Sequence, residues 1–358
     1  MLIHKGVEEM KLYKRIIIWI LISVLVQVVG LFYLDKYYFV ENSDIKSTKI
    51  VVPTKETSKA VVIKIDANGK QTQMSSDGKY VSYYEEDKLK VVDCETGTLN
   101  TVKITDGAIL SFYKWVPDRN RIILAEKMKR GKNSIIKFYY YDVSKNITEE
   151  VRNDAKDKEI YLNLTNEKSE VQDIEISPLT NVIYFKVLSP GKRNVIYRLN
   201  IMADMNQLNI KVYSIGEMQI LYTQDELYFE DLIYKRIMNS EGNVLTMPEV
   251  KNPSIIGVDG ENNIYIAEAK SGLVSKIYWA VYNGNTTTWK SKNLLVPTAV
   301  KNIHISSDGK IYIDDSLNAI VTELISGKKT SYTGVLTSIY SNGIASIDEG
   351  ILVKSSFK

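Results

Sequence analysis

The chain has 358 residues, 44% of them hydrophobic, and 46 basic against 43 acidic side chains give a formal net charge of +3. That length supports one large all-β domain or two ordinary ones. The near balance of charge excludes the strongly basic footprint of a nucleic-acid-binding protein and points instead to a mixed, solvated surface, so no nucleic acid is expected as a partner. A single cysteine, Cys94, cannot form an internal disulfide, so no oxidised framework holds the fold together. There is no CxxC, and with only His4 and His304 as imidazoles a zinc site is not expected. Abundant Lys, Ile, Asn and Tyr fit an AT-rich bacterial source.

In chain order, the first element is the uncharged run IIIWILISVLVQVVGLFYL at 16 to 34. At about 1.5 Å per residue it makes roughly 28 Å of helix, enough for a hydrocarbon core of ~30 Å. Lys11, Lys14 and Arg15 precede it, and Asp35 and Lys36 follow. The positive-inside rule therefore places residues 1–15 in the cytoplasm and everything after the span outside, with Trp19 and the Tyr33, Tyr37 and Tyr38 group at the two interfaces. A cleaved secretory signal would have a shorter apolar region and a small-x-small site, whereas this run leads into LDKYYFVEN, so an uncleaved signal-anchor is the expectation. Residues 35–58 are mostly polar and read as a stalk.

From 59 to 358 the pattern changes to short alternating or β-branched and aromatic runs punctuated by Gly, Asp, Asn and Ser. Strands are predicted at AVVIKI (60–65), YVSYY (80–84), LKVVD (89–93), RIILAE (121–126), IIKFYYYDV (135–143), VIYFKVL (182–188), VIYRLNI (195–201), ELYFED (226–231), NIYIAEA (263–269), KIYWAVYN (276–283) and KIYIDD (310–315). With 24 tyrosines against 7 phenylalanines, these strands are expected to bury aromatic bodies and to offer the hydroxyls to partners or solvent.

Ser-Ser-Asp-Gly-Lys occurs twice, at 75–79 and 306–310, each time between an apolar strand and a tyrosine-bearing one. Aligned on that turn, the sequence falls into six units at 74–99, 114–151, 174–202, 220–245, 255–283 and 303–332, the fourth and fifth degenerate and with an insertion around 154–173. Residues 336–354 and 60–73 remain as strand-like ends able to pair in one closing blade, making a seventh or completing the sixth. Each unit supplies three or four strands that cannot bury both faces alone, which calls for radial packing.

This order of apolar strand, Ser-x-Asp-Gly-Lys or Ser-Pro, tyrosine-rich strand and Asp-x-x-Thr-Gly-like turn resembles the blade of TolB-like β-propellers and of dipeptidyl-peptidase propeller domains, over roughly 60–354. The resemblance implies an all-β fold, a six- or seven-bladed β-propeller preceded by a single N-terminal transmembrane helix. Gly78 and Gly309 are expected to supply positive φ in these turns, and Asp77 and Asp308 to cap backbone amides rather than bind calcium.

No catalytic, cofactor-binding or metal-ligating residue emerges. There is no GxSxG, and His304 lies in the alternating strand IHISS, as a structural histidine would. No peptidase segment follows the repeats, so the resemblance is expected to carry the scaffold and not the reaction. Glu85 with Glu86, and Asp314 with Asp315, are adjacent and point to opposite faces, the wrong arrangement for a paired acid and base. YNGNTTTWKS (282–291) is a degenerate Asp-box without its Asp, and KMKRGKN (127–133) reads as a solvated basic hairpin tip. The expectation is a membrane-anchored, extracytoplasmic, non-catalytic binding module whose partner is an envelope protein, peptide or glycan. The alternative is an envelope hydrolase or lyase using carboxylates in the propeller funnel.

Overall fold

The structure, a computed structural model, describes residues 2–33, 61–65, 69–153, 158–247, 250–281 and 288–357. Two compact units are present, Met1–Ser58 and Lys59–Lys358. In the first, one α-helix runs Leu2–Tyr33, starting well before the apolar run, and its residues from Ile17 to Tyr33 are exposed. Among the described residues no helix is long and apolar enough to cross a membrane. The span expected at 16–34 is described with its side chains only over 17–33, and Leu34 lies outside the described residues, as does the whole stalk expected at 35–58.

The second unit is a seven-bladed β-propeller. Its antiparallel blades follow one another at 70–101, 109–150, 170–207, 215–239, 253–299, 303–331 and 335–356. The six units read from the repeat are blades 1 to 6, and the leftover ends build the seventh as expected. Lys64 bridges Ile351, the Ile65 amide donates to the Gly350 carbonyl at 2.8 Å, and the Leu352 amide donates to the Ile63 carbonyl at 2.9 Å. Only 61–65 plays that part. Lys70–Met74 is instead the inner strand of blade 1, paired with Tyr80–Glu85.

Two further boundaries differ from the sequence reading. The stretch taken as an insertion contains Leu162–Leu164, which adds a strand to blade 2 against Asn133–Asp142, and its end belongs to the inner strand of blade 3, Glu170–Ile176. Blade 4 has three strands, with Val244 only bridging Met238 where a fourth would run.

Each inter-blade junction has its own core. Phe138 of blade 2 meets Phe185 of blade 3 with ring centres 4.5 Å apart, among Ile123, Ile174 and Ile183. Ile63, Ile65, Val81 and Ala345 fill the junction where the ring closes. The tyrosines behave as expected: Tyr184, Tyr265 and Tyr332 are buried, and their hydroxyls donate to Asp225, Asp259 and Asp314 at 2.8, 2.9 and 2.7 Å.

The turns after the seven inner strands knit the blades together on one side of the ring. Asn120 Nδ2 donates to Asp77 Oδ2 (2.9 Å), Arg119 to the Pro178 carbonyl (2.9 Å), Ser177 Oγ to the Tyr222 carbonyl (3.0 Å) and the Thr223 amide to Asn262 Oδ1 (3.0 Å). The Gly260 amide reaches the Ser307 carbonyl at 2.8 Å, and the Ser341 amide reaches Ser76 at 2.9 Å. Between blades 6 and 7, Phe357 stacks on Tyr312 with ring centres 4.5 Å apart.

The repeated Ser-Ser-Asp-Gly-Lys is therefore a joint. Gly78 and Gly309 have φ of +69° and +77°. A Cβ on Gly78 would lie 2.4 Å from the Tyr340 ring of blade 7, and one on Gly309 would lie 3.0 Å from Asp259 Oδ2 of blade 5. Asp77 Oδ1 accepts from the Lys79 amide at 2.9 Å, as expected, whereas in the second copy Ser306 Oγ accepts from the Lys310 amide at 3.1 Å.

Two substitutions test closure by thermal denaturation. Ile65→Asp, at a position 2% exposed, should cost about 3–5 kcal/mol by burying a charge in the closing junction, and an unchanged Tm would contradict the role of 61–65. Gly78→Ala should cost about 2–4 kcal/mol, combining positive φ with overlap. Gly272→Ala has φ +79° and open space around its Cβ and should cost only about 1 kcal/mol.

Candidate functional site

The seven inner strands surround a central channel of about 530 Å³ to which every blade contributes side chains. Six of these strands carry a register shift against their neighbour, between Lys70 and Gln73 in blade 1, Leu110 and Phe112 in blade 2, and Ile255 and Gly257 in blade 5, for example. A bulge of this kind bends the strand and re-aims the next side chain. In blades 2 and 3 it lies just before the residues that turn to the channel.

Those residues form its charged wall. Lys114 Nζ lies 2.5 Å from Glu175 Oε1 and 3.7 Å from Asp173 Oδ1. Asp173 and Glu175 are two residues apart on one strand and so share a side. Burial pushes the Glu175 carboxyl up to about 7, against the pull of Lys114, and Asp173 adds to the rise. For Lys114 burial works downward, but the Glu175 and Asp173 carboxylates outweigh it and hold the ammonium above its ordinary value. The remaining wall is mostly neutral, with Trp115, Gln219, Ile256, Ile305 and Ile339 among its residues, and its further carboxylate, Asp77 of blade 1, is tied to Ser75, Asn120 and the Lys79 amide.

His304 faces this channel. Burial lowers its pKa, and its Nε2 has no hydrogen-bond partner among the described residues. It stands apart from the charged wall, on blade 6. Among the described residues no group of three or more His, Cys, Asp or Glu side chains could hold a metal ion. Cys94 is packed near the ring closure, where burial raises its thiol to about 11.

The carboxylate pairs noted in the sequence serve the fold. Glu85 pairs with Lys90, and Glu86 occupies the following turn with φ +49°. Asp314 is buried under the Tyr332 hydroxyl while Asp315 caps Asn318 at the surface. The basic tip at 127–133 is solvated, with 129–133 exposed, and two of its cations have surface partners: Lys129 pairs with Glu167 at 2.7 Å, and Arg130 lies over Tyr161 at 4.2 Å. Of the degenerate Asp-box, 282–287 lies outside the described residues. What sequence reasoning missed is Lys114 with Asp173 and Glu175. They sit at one place in successive aligned repeats, so comparing channel positions between repeats would have found them.

A larger groove of about 720 Å³ lies on the outer rim between 159–163 and the edge of blade 3. It is lined mainly by neutral side chains such as Tyr161, Tyr197 and Gln207, and its wall includes Asn153, which borders residues outside the described ones.

No family model matches the sequence, and no curated protein matches it. Solved structures do. The Cps50 (Swd1) β-propeller domain of Myceliophteria thermophila is similar with a TM-score of 0.50 at 9% identity, covering 83% of this chain and 98% of that one. Dipeptidyl peptidase 4 of Porphyromonas gingivalis matches with a TM-score of 0.44 at 11% identity, over 81% of this chain and 53% of that one. TolB of Acinetobacter baumannii matches with a TM-score of 0.33 at 14% identity, over 62% and 51%. At these identities the likeness is one of fold.

The charged wall makes a pH prediction. The folded pKa of Glu175, about 7, lies above its ordinary 4.5. Its contribution to stability is therefore complete below about pH 4.5 and is lost as pH rises through about 7. Glu175→Gln should flatten Tm against pH in that window, leaving the smaller slope due to Glu126 and Glu230, whose carboxyls burial also raises. Lys114→Met should cost about 2–3 kcal/mol at pH 8 and less at pH 5, where Glu175 takes up a proton. A pH-independent penalty would contradict the pairing.

Proposed function

We propose that this protein is a non-catalytic binding or protein-interaction module at the bacterial cell envelope, anchored by one N-terminal span with the propeller outside. The observation that carries the binding reading is the composition of the channel. Its one ammonium and two nearest carboxylates are engaged with each other, and Asp77, the other carboxylate of the lining, is taken up by Ser75, Asn120 and the Lys79 amide, while most of the wall is neutral or apolar. Such a surface can enclose a peptide or glycan segment by contact and a few hydrogen bonds without presenting opposed reacting groups. The anchor is supported by the uncharged run 16–34 with its basic N-terminal flank, and by exposed apolar side chains from Ile17 to Tyr33.

One observation favours the other reading, an envelope hydrolase or lyase. A carboxyl raised to about 7, as Glu175 is, suits general acid–base work near neutral pH. Against it stands the short contact of Lys114 with Glu175 Oε1, which engages the carboxyl in a pair within the wall.

A single set of preparations tests both parts. After an alkaline carbonate wash of membranes, the full chain should stay in the pellet and residues 59–358 should not; release of both overturns the anchor. Detergent-solubilised full chain, cross-linked and compared with a control bearing residues 1–58, should capture an envelope component. Its recovery should fall at least about tenfold when channel residues Gln219 and Ile256 are both changed to Trp, which blocks the channel. Capture indifferent to that change would contradict binding in the channel, and turnover of an envelope substrate lost in Glu175→Gln would favour the enzyme.

A further inference from the structure

In an antiparallel blade the turn between the second and third strands and the crossing to the next blade emerge on the same side of the ring. On that side, blades 3 to 5 join exposed cations to exposed apolar side chains, whereas the blade 2 turn is basic, with Lys129, Arg130 and Lys132 exposed, but has no exposed apolar tip. The blade 4 turn between Leu227–Asp231 and Arg236–Asn239 is Leu232-Ile233-Tyr234-Lys235, with its first three side chains 50%, 58% and 70% exposed. Arg236 lies under the tip, its guanidinium 4.9 Å from the Tyr234 ring centre. Between this tip and that of blade 5 lies a groove of about 540 Å³, with Leu232, Lys235 and Lys270 in its lining and the buried Glu230 and Asp231 beneath, Asp231 paired with Arg236. Lys192, Arg193, Lys211 and Lys251 are exposed at neighbouring turns and crossings on the same side, beside the exposed Tyr213 and Leu273. On blades 1, 6 and 7 the corresponding turns and strand ends carry Glu86, Asp87, Asp315 and Glu349, all exposed.

We propose that this sector of the propeller docks onto an anionic lipid surface. The apolar groups form a projecting tip rather than a hollow, which suits insertion into the headgroup layer and not the shape-matched pocket of a protein hot spot. Tyrosine beside an apolar tip suits the interface. The cations stand around and behind it, where phosphates lie when a tip is buried by about 5–10 Å. Anionic lipid attracts the sector of blades 3 to 5 and repels the acidic turns opposite, so the ring docks tilted, blade 4 leading. This contact is independent of the N-terminal span, because residues 59–358 carry the whole surface and close the ring with their own segment 61–65.

The test is co-sedimentation of residues 59–358 with phosphatidylcholine vesicles, with and without about one third phosphatidylglycerol. Binding is expected only to the anionic vesicles and should weaken as salt rises. Lys235→Glu with Lys270→Glu should weaken it at least about tenfold, and Ile233→Asp should abolish it with the melting curve unchanged, since the side chain is exposed. Equal binding to both vesicle types, no binding to either, or binding indifferent to these substitutions overturns the proposal. So does capture of a protein through this tip without lipid binding.

Discussion

A propeller stands or falls on the junction that makes it a ring. Six junctions join neighbours in sequence, but the seventh needs segments from both ends of the domain, here the extended segment 61–65 bridged to Ile351–Ser356. Every hydrophobic core in the domain lies between two blades. An open ring would leave Val81 and Tyr83 on one side, and Ala345 on the other, without a partner. The entropic cost of bringing distant ends together grows slowly with loop length, so the apolar surface covered at the seventh junction can offset it. The turns reinforce that geometry. Gly78 lets the Tyr340 ring lie directly on the first turn, and Lys354 Nζ donates to its carbonyl at 2.6 Å.

How much of this could be read from the sequence follows from burial. Tyr80–Glu85, Arg121–Arg130 and Ile183–Leu188 are central strands whose apolar residues face neighbouring blades, and their runs were recognisable. The outer strands were not. Leu99–Thr101, Met205–Gln207 and Lys329–Ser331 are short and largely exposed, so nothing in their composition departs from a loop. Lys290–Ala299 has an edge-strand proline at Pro297 and an almost fully exposed Leu295, and its pairing depends on the blade already being present. The Ser-Ser-Asp-Gly-Lys turns were legible because positive φ restricts the residue type. Their second duty, contact with the adjoining blade, depends on tertiary neighbours that one repeat cannot reveal. The charged wall was hidden for a related reason: Lys114, Asp173 and Glu175 look like ordinary strand polar residues until the ring brings blades 2 and 3 together.

The arrangement separates two kinds of surface. Inside, the Lys114 ammonium is engaged by carboxylates of the adjacent blade and Asp77 by its own turn and Asn120, leaving a channel wall able to hold neutral or mixed segments. Outside, the small net charge of +3 conceals a basic and apolar sector on blades 3 to 5 and an acidic one opposite. Sequence-wide balance does not imply a uniform surface, because long-range attraction depends on where charges are placed.

The central claim is that the propeller is one cooperative ring closed by its own segment 61–65. Amide hydrogen exchange at Ile65 and Leu352, the two donors of the closing ladder, tests it most directly. The account predicts that both exchange as slowly as interior amides such as those of Ile123 and Ile266, opening only when the whole domain unfolds. Exchange at these two positions orders of magnitude faster than at the interior ones would show a ring that opens locally and would contradict it.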